Sequence, residues 1–114
     1  MTDTDGWLRV AALSELSDDE ALPAMLGETP IALYRLDGEI YAIGDVCTHE
    51  YALLSQGFIE DGAIECPLHQ AKFDIATGRC LAAPATEPVR SYPVRIENGD
   101  IYVGQNPRGD PGNT

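Results

Sequence analysis

The chain has 114 residues, which suits one small domain, and it carries 7 Lys+Arg against 19 Asp+Glu for a formal charge of −12. That balance argues against nucleic acid or an anionic lipid surface, both of which demand clustered cations, and it favours basic partners while also serving solubility. No run approaches the ~20 apolar residues of a membrane span, and Met1 to Gly6 holds Asp3 and Asp5 without a basic stretch, so a cytoplasmic protein with no membrane or nucleic-acid partner is expected. Three cysteines, an odd number, do not make a secreted disulfide framework.

Short alternating runs bounded by turn residues recur along the chain, and helical periodicity is scarce, so the pattern predicts an all-β domain of hairpins. Trp7 to Ala11 opens it. Ser14 to Leu26 mixes Asp18, Asp19 and Glu20 with Ala21, Leu22, Met25 and Leu26, an ambiguous segment that could be a single helical turn followed by a short strand. Pro30 to Leu36 and Glu39 to Ile43 predict a hairpin closed by Asp37-Gly38, a dipeptide suited to the positive φ of a two-residue turn. Strands are then expected at Gly57 to Glu60, Ala63 to Glu65 and Lys72 to Ile75, with turns at Asp61-Gly62 and Thr77-Gly78. Leu81 to Pro88, containing Pro84 and Pro88, reads as an irregular crossing loop, because proline withholds a ladder donor. Val89 to Glu97 and Asp100 to Val103 complete the sheet across Asn98-Gly99. The expected organisation is one domain over residues 1–103, with an insertion at about 45–84, and a frayed tail over 104–114.

Two short pairs, Cys47-Thr48-His49 and Cys66-Pro67-Leu68-His69, stand 16 residues apart and use both histidines and two of the three cysteines. Each offers one thiolate and one imidazole at loop spacing, a donor set for a soft metal centre. A zinc finger would place both cysteines in one knuckle and both histidines on a following helix, and that order is absent here. A hydrolytic zinc would need an open coordination position, which two cysteines and two histidines would close. Mixed pairs on two loops suit a dinuclear iron centre with both sulfurs on one iron and both nitrogens on the other. The third cysteine, Cys80, reads as a small buried apolar residue.

These pairs resemble the fingerprint of the Rieske iron–sulfur family. The likeness extends to Trp7, to Asp37 through Ile43, to Phe73-Asp74, Thr77-Gly78 and Pro84, and so runs over about Trp7 to Val103. The resemblance implies a Rieske fold, antiparallel sheets forming a base with an inserted two-loop cluster-binding subdomain, and one [2Fe–2S] cluster. It also implies that Cys47 and Cys66 hold a buried inner iron, and that His49 and His69 hold an outer iron at the tip. Pro84 would cover the cluster, and Gln70, beside His69, could meet a partner.

High-potential members of this family resemble one another in a disulfide bracing the loops and in a serine and a tyrosine that donate hydrogen bonds to sulfur. The matching positions here hold Ala52 and Leu68 in place of the cysteines, and Ala71 and Phe73 in place of the hydroxyls. Fewer donors to sulfur mean a less stabilised reduced cluster, so a potential on the order of −150 mV is expected rather than +300 mV. That suits a shuttle fed from NAD(P)H through a flavoprotein ferredoxin reductase. An oxygenase would need a mononuclear iron triad and more histidines. What remains resembles the free-standing ferredoxin of aromatic ring-hydroxylating dioxygenases, an electron carrier with no substrate chemistry of its own, delivering to a terminal oxygenase with its own Rieske centre. The nitrite reductase small subunit and a regulatory Rieske-like subunit are the alternatives. A monomer is the default. Asp45, Glu50, Glu60, Asp61 and Glu65 flank the loops and could steer a basic partner, and Tyr51 and Leu54 could add apolar docking surface, although one of them is expected beneath the loop.

Overall fold

The computed structural model describes residues 6–47, 52–67, 71–82 and 88–106. Among these residues eleven strands fall into three antiparallel sheets, and the middle sheet is shared between two cores. The first base sheet has the order β1-β11-β10 and the second β2-β3-β4-β9. Here β1 is Trp7–Ala12, β2 Ala21–Leu26, β3 Thr29–Leu36, β4 Glu39–Gly44, β9 Ser91–Tyr92, β10 Val94–Glu97 and β11 Asp100–Gly104. The third sheet, β5-β6-β7-β8, is built from Phe58–Glu60, Ala63–Glu65, Lys72–Asp74 and Cys80–Ala82, all within the 45–84 stretch.

The apolar run Ile31-Ala32-Leu33-Tyr34 in β3 is wholly buried, which makes sense because successive side chains point to opposite faces. Ile31 and Leu33 join Leu26, Ala42, Ile101 and Val103 in the core between the two base sheets. Ala32 and Tyr34 face the other way, with Ile43, Leu54, Ile64, Phe73 and Val89, in the core beneath the third sheet. Cys47 and Cys66 both belong to that second core.

Three hairpins share one turn. Asp37-Gly38, Asp61-Gly62 and Asn98-Gly99 all take positive φ at both residues, with Leu36 opposite Glu39, Glu60 opposite Ala63 and Glu97 opposite Asp100. These are the geometries whose twist matches the flanking strands, and Asp or Asn followed by Gly tolerates them best.

The ambiguous Ser14–Leu26 segment resolves into a 3-10 turn at Leu13–Glu15 followed by β2, an edge strand on which Pro23 is tolerated. The expected continuous strand Val89 to Glu97 is broken at Pro93. Ser91–Tyr92 pairs with β4, whereas Val94–Glu97 pairs with β11, so the chain changes sheets where a ladder donor is missing. The Pro93 carbonyl instead accepts from the Gly104 amide at 3.0 Å. The expected loop from Leu81 onward also needs correction, since Cys80–Ala82 forms β8 on β7, with Phe73 opposite Cys80. Three residues are too few to show a period, which is why this strand is invisible in the sequence.

Candidate metal centre

Each cysteine leaves the end of a strand or bridge and begins a loop closed in the same manner. The Cys47 amide donates to the Ala52 carbonyl at 2.9 Å, and the Cys66 amide donates to the Ala71 carbonyl at 2.7 Å. Both rings span six residues, so Cys-Thr-His-Glu-Tyr-Ala and Cys-Pro-Leu-His-Gln-Ala are matched loops despite their unequal cysteine-to-histidine spacing. The second loop continues the β6–β7 ladder, in which Glu65 pairs with Lys72 directly below it. The first stands on a single bridge, Val46 to Leu53.

Cys47 is 4% exposed and Cys66 1%. Ala71 and Phe73 are wholly buried in the same core, as side chains that bring no hydroxyl to sulfur. Leu68, His69 and Gln70, like His49 and Pro84, lie outside the described residues, as do Glu50 and Tyr51. Among the described residues no three metal-binding side chains converge. The donor set present, two thiols at the base of matched loops inside an apolar core, fits the sulfur-ligated end of an iron–sulfur cluster.

Asp45 is not the docking charge expected of it. It is 2% exposed, and its carboxylate accepts from the Ser55 amide at 2.6 Å and the Ser55 hydroxyl at 2.8 Å. Burial raises its pKa, and the two Ser55 hydrogen bonds partly oppose that rise. Tyr34 lies in the core that holds Cys47 and Cys66, and its hydroxyl, also fully buried, has no hydrogen-bond partner among the described residues. Burial, and after it the negative charge of Asp45, pushes this phenol far above its ordinary value.

Leu54 is buried beneath the first loop, as one of the Tyr51 and Leu54 pair was expected to be. Exposed apolar side chains near the loops include, among the described residues, its neighbour Leu53 and, at 64% exposure, Phe58 opposite Glu65. Cys80 is half-buried at the edge of the core. Gly57 carries a constraint that its sequence context does not announce. A Cβ there would collide with the backbone carbonyl of Glu65, so the exit of the first loop lies flat on the residue that precedes Cys66.

A three-layer antiparallel β protein with paired thiols under two matched loops, each motif ending in histidine, defines a small iron–sulfur electron-transfer domain. The chain belongs to the Rieske [2Fe–2S] domain family, whose model matches residues 6–93, and a domain of this family carries one [2Fe–2S] cluster. It is 46% identical over 97 residues to the anthranilate 1,2-dioxygenase ferredoxin subunit of Burkholderia cepacia, covering 85% of this chain and 90% of that one. It is 43% identical over 100 residues to the ferredoxin component of the naphthalene 1,2-dioxygenase system of Pseudomonas aeruginosa, covering 88% and 96%. A chain in the complex of reduced oxygenase and oxidised ferredoxin of carbazole 1,9a-dioxygenase superposes with a TM-score of 0.84 at 32% identity, covering 94% of this chain and all of that one. No helix among the described residues is long and apolar enough to cross a membrane.

Proposed function

We propose that this protein is the ferredoxin of an aromatic ring-hydroxylating dioxygenase system, carrying single electrons from an NAD(P)H-dependent flavoprotein reductase to the Rieske centre of the terminal oxygenase. The observation that carries the reading is the pair of matched loops, each opening on a buried cysteine and holding a histidine, in a chain whose relatives of nearly equal length are dioxygenase ferredoxins. The carbazole complex, in which a similar chain meets an oxygenase, supports that partner.

In this reading Cys47 and Cys66 bind the inner iron, His49 and His69 bind the outer iron, Pro84 covers the cluster against water, and Gln70 meets the docking partner. When bound, a [2Fe–2S] cluster supplies reversible one-electron chemistry near its histidine-ligated iron. The chain's own part is to hold it, to keep water from its sulfur end with Leu54, Ile64 and Phe73, and to set its potential. Ala71 and Phe73 withhold hydroxyl donors from sulfur, which keeps that potential low. The chain acts as one monomeric domain over residues 1–103 in the cytoplasm, the compartment of the nicotinamide pool.

Iron and acid-labile sulfide counted on anaerobically purified protein, with an electron paramagnetic resonance spectrum after reduction, test the assignment. Two irons per chain and a Rieske spectrum are expected, with a midpoint on the order of −150 mV. Colourless protein holding zinc, or a clearly positive midpoint, would refute the site or the account of its tuning respectively. His49→Cys should lower the potential and alter the spectrum, and an unchanged spectrum would remove His49 from the ligand set.

A further inference from the structure

The two ligand loops are not held in the same way. Below the second, a β ladder runs on from Glu65 and Lys72, so backbone pairing alone fixes the level of Cys66 and Ala71. Below the first, the arms separate. One arm is β4, ending at Gly44, and the other is a 3-10 turn, Leu54–Gln56, which cannot continue a ladder. Among the described residues the backbone links between those arms are the Val46–Leu53 bridge, with the Cys47–Ala52 bond that closes the loop, and the Leu54 amide donating to the Asp45 carbonyl at 2.7 Å.

The Asp45 side chain supplies what the ladder lacks. Its two carboxylate oxygens take the amide and the hydroxyl of Ser55, one oxygen each, across the gap between the arms. Its own amide donates to the Pro30 carbonyl at 3.1 Å, which ties the same residue to β3. Capping a short turn does not require a buried acid, and burying a carboxylate is costly unless its hydrogen bonds secure something. By contrast Asp74, which accepts from the Thr77 hydroxyl at 2.7 Å, does comparable local work while half-buried.

We propose that Asp45 is a positioning residue of the cluster site: through Ser55 it locks the arms of the first loop and so fixes where Cys47 presents its sulfur. This rests on the reading that Cys47 and Cys66 hold the cluster. Asp45 touches neither iron nor partner in this account. It acts on the cluster through the loop.

The test uses the cluster-loaded full chain as wild type and as Asp45→Ala, Asp45→Asn and Ser55→Ala, together with Ile101→Ala, which weakens the other core by packing alone. Two signals are read: the paramagnetic resonance spectrum of the reduced protein and the rate of iron loss to an external chelator. Asp45→Ala should shift or broaden the spectrum and speed iron loss at least several-fold, and Ser55→Ala should do the same to a smaller degree. Asp45→Asn keeps an oxygen that can accept from the Ser55 amide and should move both signals back toward wild type. Ile101→Ala, compared at a similar drop in melting temperature, should leave the spectrum unchanged. The proposal is overturned by wild-type spectra in both Asp45→Ala and Ser55→Ala, or by an equal shift in Ile101→Ala. If Asp45→Ala does not accumulate as folded protein, Ser55→Ala decides alone by the same criterion. A wild-type protein lacking the Rieske spectrum would instead overturn the site, and this proposal with it.

Discussion

Tyr34 buries a hydroxyl that has no partner among the described residues, and a fully buried hydroxyl without one forfeits about 1–3 kcal/mol of solvation. Tyr34→Phe should therefore unfold in urea at the same or a higher midpoint than wild type at neutral pH, and a clear loss of stability would reveal a partner for the hydroxyl. The same burial makes a pH dependence. The folded chain keeps this proton to higher pH than the unfolded chain does, since its phenol pKa is raised. Its contribution is thus fully present below the unfolded value of about 10 and declines by about 1.4 kcal/mol per pH unit above it. Tyr34→Phe should flatten the alkaline loss of stability by that slope between about pH 10 and 11. At this scale the sequence made the candidate ligand pairs plain, because thiol and imidazole at fixed spacing have few other uses, and the structure adds that Cys47 and Cys66 are buried. It misrepresented Asp45, since an aspartate beside a loop looks the same in sequence whether its carboxylate faces solvent or Ser55.

Among the elements, Gly57 couples the two loops. Its missing side chain lets the turn after the first loop rest on the Glu65 carbonyl, one residue before Cys66. Gly57→Ala should destabilise the fold by roughly 1–3 kcal/mol through forced overpacking and lower the iron content per chain. Gly38→Ala is the comparison, because a Cβ there meets nothing within 4 Å and the φ of +81° costs backbone strain alone. That strain is about 1–2 kcal/mol, and iron content should stay at the wild-type level. Equal iron loss in both variants would show that general destabilisation, not loop contact, governs retention. The hairpins were legible because Asp-Gly and Asn-Gly dipeptides announce positive φ. The sheet change at Pro93 and the strand Cys80–Ala82 were not, because each depends on which distant strand offers an edge.

Over the whole molecule, the charge of −12 is spread unevenly with respect to the ligand loops. Asp19, Asp37, Glu60 and Asp61 line a cleft of about 410 Å³ at the end of the β5–β6 hairpin away from Cys66, whereas Glu65 adjoins that cysteine. Asp61 sits in the turn four residue steps before Glu65 on β6, at most about 13 Å away at ~3.3 Å per residue, a separation on the scale of the ~10 Å Debye length at 0.1 M salt. If the proposed flavoprotein reductase is the electron donor, raising ionic strength should therefore slow reduction by it, and Glu65→Gln should slow it more than Asp61→Asn. Rates insensitive to salt would remove electrostatic steering from the account. The fold class and the loop pair could be read in advance at this scale. The double duty of β3 could not, since a continuous apolar run does not say what lies on either side of it. That double duty has a consequence for how the molecule comes apart. Tryptophan fluorescence watches the base from Trp7 and the visible colour watches the iron end, yet both rest on the same ribbon, Ile31 to Tyr34. Heat should erase the two signals along one curve, and a colour that bleached well before the fluorescence moved would mean that the shared wall does not bind one chamber to the other.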